Sequence, residues 1–200
     1  MEKNHITFTP DVLLLDVTFL NDTVYNAKRL LAERLGRTLP DTDLVAWLLC
    51  LALDGGLRGE GRVVQILLVA DEGVHALQGC EPGLLEELDG KACRIPLGEF
   101  SFSVVPSAGM VTHADLFCEL AKLALDAQEV EHLLLVPDFY EYGEKLRKTF
   151  RDFTLESEDE KALGKALCFL LEEPDGGLPC RADLVTYSLM HVWGIAPEDL

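Results

Sequence analysis

Asp11-Val12-Leu13-Leu14-Leu15-Asp16 is a short apolar run closed by an acid, and the chain repeats that form twice. Val63-Val64-Gln65-Ile66-Leu67-Leu68-Val69-Ala70 runs into Asp71, and Leu133-Leu134-Leu135-Val136-Pro137 runs into Asp138. Runs of this length and composition, with helical stretches between them, read as strands buried on both faces of a parallel sheet. Open parallel sheets bind ligands just beyond the carboxyl ends of their strands. Three such ends carrying acids point to one acidic pocket. Clustered carboxylates repel one another, and a hard divalent cation relieves that repulsion. Asp16, Asp71 and Asp138 therefore read together as a Mg²⁺ or Mn²⁺ site. Taken singly, each reads as a helix N-cap or a turn former.

Around these strands the pattern alternates. A helix is expected from Asn21 or Asp22 to Leu35, with Gly36 as its C-cap, and a second from Leu44 to Leu53, capped by Asp41 or Thr42. A short helix is expected over 83–88 and short strands near 92–95 and 100–105. Thr112 can cap a helix over 113–127, and another helix follows from Tyr140 to Phe150. The order implies a three-layer α/β domain with a mostly parallel, Rossmann-like central sheet. After Phe153 the composition changes. Glu156-Ser157-Glu158-Asp159-Glu160-Lys161 reads as a charged connector or an acidic first helical turn, leading into helices over 159–172 and 181–193. The division is thus an α/β domain over 1–153 and a C-terminal helical hairpin over 154–200. The hairpin's apolar residues (Leu163, Leu167, Leu170, Leu171, Leu184, Leu189) need burial on the sheet or on a partner.

Composition narrows the function. No apolar run approaches the ~18 residues of a membrane span. The opening Met1-Glu2-Lys3-Asn4-His5 lacks the form of a signal peptide, so a cytoplasmic protein is expected, with no membrane partner. The net charge of −18 repels phosphates unless charge is segregated or a metal is bound. The six cysteines form no C-x-x-C pair, which leaves no zinc signature, and Cys50, Cys118 and Cys168 read as buried thiols. No Walker or dinucleotide fingerprint is present. His113 stands two residues before Asp115, near enough in sequence to approach the pocket as an acid or base, or to serve as a surface or capping residue.

Residues 11–153 resemble, distantly, the PIN-like nuclease superfamily and its NYN-type domains. Val12-Leu13-Leu14-Leu15-Asp16 with Asn21 is similar to that family's first strand. Val111-Thr112-His113-Ala114-Asp115 and the apolar run after it resemble a helix that opens with a Lys-Gly-Val-Asp-like segment. Leu133 to Val136 with Asp138, Glu141 and Tyr142 resembles a divergent Ser-Gly-Asp-x-Asp-Phe segment. The Ser-Gly and Lys-Gly pairs are replaced here, so the resemblance also admits a member that keeps the fold and has lost the chemistry. It implies hydrolysis of RNA phosphodiesters by a Mg²⁺- or Mn²⁺-activated water. Asp16, Asp115 and Glu141 match motif positions as catalytic metal ligands, and Asp138 and Asp71 join them from the strand-end argument. Asn21 would orient a phosphate or a metal-bound water, or cap the first helix. The alternative function is an inactive PIN-like protein that binds a protein partner or a second copy of itself through the C-terminal helices. A phosphatase using Asp16 as nucleophile ranks last, because Thr18 stands where Asp-x-Asp needs its second acid.

Overall fold

The six residues of β1 (Asp11–Asp16) are all buried, because this strand occupies the middle of the sheet. The structure, a computed structural model, describes residues 7–109, 111–156 and 162–199. The opening segment 1–6 and residues 157–161 of the expected connector lie outside the described residues.

From β1 the chain passes straight into a helical segment, α1 (Val17–Phe19), one π turn (Leu20–Val24) and α2 (Tyr25–Leu35). Gly36 ends it in the left-handed conformation (φ 62°) that a C-cap glycine adopts without a Cβ penalty. The short strand β2 (Thr42–Asp43) leads to α3 (Leu44–Asp54), capped by Asp43 through its bond to the Ala46 N–H rather than by Asp41 or Thr42. Next come β3 (Arg62–Ala70), β4 (Cys80–Glu81), α4 (Leu85–Leu88), β5 (Ala92–Ile95) and β6 (Gly98–Pro106). The second half runs α5 (His113–Asp126), β7 (His132–Val136), α6 (Phe139–Glu156), β8 (Ala166–Leu170), β9 (Arg181–Leu184) and α7 (Val185–Val192).

The main sheet has seven strands in the order β5-β6-β3-β1-β7-β8-β9, while β2 and β4 pair separately. Apart from β5, which runs antiparallel to β6, neighbouring strands in the main sheet are parallel. Leu14 lies opposite Leu67 on one flank and Leu135 on the other. Alternation along β1 divides the core. Leu13 and Leu15 pack with α3 and α7 residues such as Trp47, Leu48 and Leu189. Val12 and Leu14 pack with α5 and α6 residues such as Phe117, Leu146 and Phe150. Helices therefore cover both faces, and the architecture is α/β with a mostly parallel central sheet.

The end of the chain departs from the expected helical hairpin. Residues 166–170 are strand β8, all buried, paired in parallel with β7, and β9 extends the same sheet. Only 185–192 of the expected 181–193 helix is helical. The reason is burial on two faces. Ala166-Leu167-Cys168-Phe169-Leu170 puts apolar residues on both sides of the strand, which mimics helical spacing. The apolar side of α7 is not left for a partner either. Val185, Leu189 and Trp193 lie in the core, and buried bonds from Trp47 to Ser188 (3.1 Å) and from Trp193 to Thr42 (2.9 Å) tie α7 to α3 and β2.

Candidate functional site

The chain leaves β1 to build β3 and β6 on one flank, then returns to build β7 and β8 on the other. The carboxyl end of β1 is thus the point where strand order reverses, where ligands of open α/β sheets bind. Asp16 sits there with no exposed surface. Its Oδ1 accepts the Phe19 N–H at 3.0 Å, so it is at once the strand-end acid and the cap of α1. The first helix accordingly starts at Val17, not at Asn21 or Asp22.

His113 is the centre of the site. It is the first residue of α5, and its side chain is only 8% exposed. Its Nδ1 lies 2.9 Å from Asp71 Oδ2, and its Nε2 lies 3.2 Å from Glu141 Oε2 and 3.6 Å from Asp16 Oδ2. Carboxylates at both ring nitrogens select the doubly protonated imidazolium, which donates from both. Burial works against that charge, but Asp16, Asp71 and Glu141 outweigh it, and the His113 pKa is raised. Burial likewise opposes the charge of Asp71, yet bonds from His113, Thr18 and Ser107 hold its carboxyl below the usual range. For Asp16 burial prevails: its pKa is raised despite bonds from Tyr142 and Phe19 and the nearby His113.

Tyr142 completes the floor. Backbone angles of φ −130°, ψ 24° break α6 at this residue, and its phenol donates to Asp16 Oδ2 at 2.7 Å while accepting the Asp138 N–H at 3.1 Å. Burial, and then Asp16, raise the phenol's pKa, which keeps it a donor. Asp138, 7% exposed, caps the start of α6 through its bond to the Glu141 N–H. Removing the phenol oxygen takes one donor from the buried Asp16 carboxylate and the acceptor from the Asp138 amide. Tyr142→Phe should lower the unfolding free energy by about 1–3 kcal/mol in chemical denaturation.

The structure therefore brings Asp16, Asp71 and Glu141 around one imidazole, with Asp138 beneath. It places Asp115 elsewhere. Asp115 is the N3 residue of a capping box with Thr112 and pairs with Lys145. Asn21 is not a cap. It donates to the Ala76 carbonyl at 2.9 Å and accepts the Gln78 N–H at 2.7 Å, which fastens the loop after β3 to the π turn. Beside Asp71 lies a cavity of about 500 Å³, lined by Thr18, Asn21, Asp22, His75 and Gln78 among others. Thr18 and Ser107 are site residues that sequence reading missed, and Tyr142, part of the resemblance, carried no site role there. The first turn of α1 delivers Thr18, the loop after β6 delivers Ser107 and the kink of α6 delivers Tyr142.

The carboxylates that would hold the divalent metal implied by the resemblance are paired with an imidazole in this structure. The imidazole already stands between the carboxylates. Among the described residues no group of three or more His, Cys, Asp or Glu side chains is arranged to hold a metal ion.

Linkage gives the cluster a pH signature. The folded pKa of His113 is raised above 6.5, so its contribution is whole below that value and is lost as the pH rises through the folded pKa. Asp71, lowered from 3.8, contributes above 3.8 and loses that contribution as the pH falls through its folded value. Asp16, raised, favours the fold most below 3.8, and that share fades as the pH climbs through its folded value. Denaturation followed from about pH 5 to about pH 9 should show stability declining on the alkaline side. His113→Gln should flatten that decline.

The chain matches a family of unknown function (DUF6621) over residues 5–200 and belongs to it. No curated protein and no solved structure matches. Among the described residues no helix is long and apolar enough to cross a membrane.

Proposed function

We propose that this chain is a PIN-like protein whose strand-end acids have given up metal-dependent hydrolysis and that it works as an interaction module, binding a protein partner or a second copy of itself. One observation carries the reading: His113 supplies, from within the chain, the positive charge that a metal would otherwise bring to Asp16, Asp71 and Glu141. A cleft that already holds this internal cation has less call for an external one. With four acids against one imidazolium, it also repels an RNA phosphate. Exposed aromatic surface supports an interaction role. Tyr140 and Tyr187, 61% and 66% exposed, flank the strand ends of β8 and β9, where a partner can cover them.

The test pairs two measurements on the full chain. Sedimentation velocity should show self-association, or a protein partner should be retained on the immobilised chain and lost with Tyr140→Ser and Tyr187→Ser. Labelled RNA with Mn²⁺ should stay intact. RNA cleavage that Asp16→Asn abolishes would overturn the reading. It would restore the competing one, a Mg²⁺- or Mn²⁺-dependent ribonuclease. In favour of that alternative stands the convergence of Asp16, Asp71 and Glu141 within 3.6 Å of one imidazole, but it requires His113 to leave its place or to become a ligand itself.

A further inference from the structure

A second reactive pair lies away from the strand-end acids. Cys168 in β8 is fully buried, Cys180 immediately before β9 is partly buried, and their sulfurs are 3.6 Å apart. Cys180 sits outside the paired residues of β9, which begin at Arg181, so the ladder does not fix its backbone. A disulfide needs the sulfurs to close by about 1.5 Å. We propose that Cys168 and Cys180 form a thiol–disulfide exchange site, converted to an intramolecular disulfide by a low-molecular-weight disulfide of the glutathione type.

The roles follow from position. Cys180 is the more accessible, and the hydrogen bond from the Cys168 thiol holds it below its ordinary pKa, while giving that bond raises Cys168. Cys180 is therefore the attacking thiolate. Its sulfur displaces one glutathione thiolate from glutathione disulfide, leaving a mixed disulfide. Cys168 then loses its proton to the departing thiolate and attacks the Cys180 sulfur, releasing the second glutathione. The protein dithiol is oxidised by two electrons and the small disulfide is reduced to two thiols. Cys80 and Cys118 serve as internal controls, since burial pushes both thiols up to about 11.

The bond would staple edge strand β9 to β8 and close the loop between them. That loop carries Glu172, Glu173, Pro174 and Asp175, one wall of a cavity of about 430 Å³ beside Tyr140. Redox state would thus set the rigidity of this wall.

The experiment incubates the full chain in glutathione buffers of increasing oxidised fraction, quenches with acid, alkylates and maps the peptides. Both cysteines fall in the one tryptic peptide 166–181. That peptide should lose two hydrogens and resist alkylation as the buffer becomes oxidising. In native protein Cys180 should alkylate ~10-fold or more faster than Cys80 or Cys118. With Cys168→Ser the mixed disulfide should accumulate on Cys180. The proposal is overturned if wild-type peptide 166–181 remains doubly alkylated throughout, or if other cysteines pair in its place.

Discussion

His113→Ala is expected to destabilise the protein by about 3–5 kcal/mol and, on the proposed reading, to create an affinity for Mn²⁺. The stability loss is concentrated on one contact. Asp71 and Glu141 are 41% and 51% exposed, so water replaces much of what the imidazolium gives them. Asp16 has no exposed surface, and without His113 its charge keeps only the Tyr142 and Phe19 bonds. The gain of Mn²⁺ affinity follows from the same repulsion, because the acids of the cleft would then lack a positive charge among them. An added divalent cation relieves that repulsion and stabilises the native state by mass action, by about 2.7 kcal/mol at a hundredfold excess over Kd. His113→Ala with Asp16→Asn should recover much of the loss, since the buried charge is then absent. Thermal unfolding of the single and double variants with and without Mn²⁺ measures both effects.

Gly98→Ala should cost about 3 kcal/mol or more, through backbone rather than side chain. Gly98 starts β6 at φ +139°, and a Cβ there would lie 2.1 Å from the Arg62 carbonyl oxygen and 2.6 Å from its nitrogen. No rotamer relieves a clash with backbone, so the first residues of β3 and β6 must part. Arg62 would move with them, and it holds Asp11 at 2.7 Å in an ion pair where the acid is almost wholly buried. Asp11 would keep His132, also at 2.7 Å, as its remaining ionic neighbour. Urea denaturation should show a lower midpoint with an unchanged slope, which distinguishes lost stability from an altered unfolded state.

The central strands are plain in the sequence because burial on both faces leaves mostly Val, Ile and Leu between turn residues. β1 and β7 fall on the expected residues, 11–16 and 132–136, and β3 begins one residue earlier than expected. The same rule concealed β8. Leu163, Leu167, Leu170 and Leu171 satisfy helical spacing, yet 166–170 pairs with β7, a choice that only the neighbouring strand can make. At the site, the convergence of Asp16 and Asp71 was legible from strand ends. The choice between His113 and Asp115 turned on the start of one helix. Thr112-His113-Ala114-Asp115 has the form of a capping box, in which the fourth residue bonds back to the first. That signal assigns Asp115 to the cap. It leaves His113, two residues earlier on the turn, to face the sheet.

Calorimetric titration of Mn²⁺ into the wild type and into His113→Ala tests the central claim most directly. An imidazolium that already serves as the cation of the cleft predicts no binding heat in the wild type and saturable binding in the variant, abolished by adding Asp16→Asn. Saturable binding in the wild type, lost in both His113→Ala and Asp16→Asn, would make His113 a metal ligand and contradict the account.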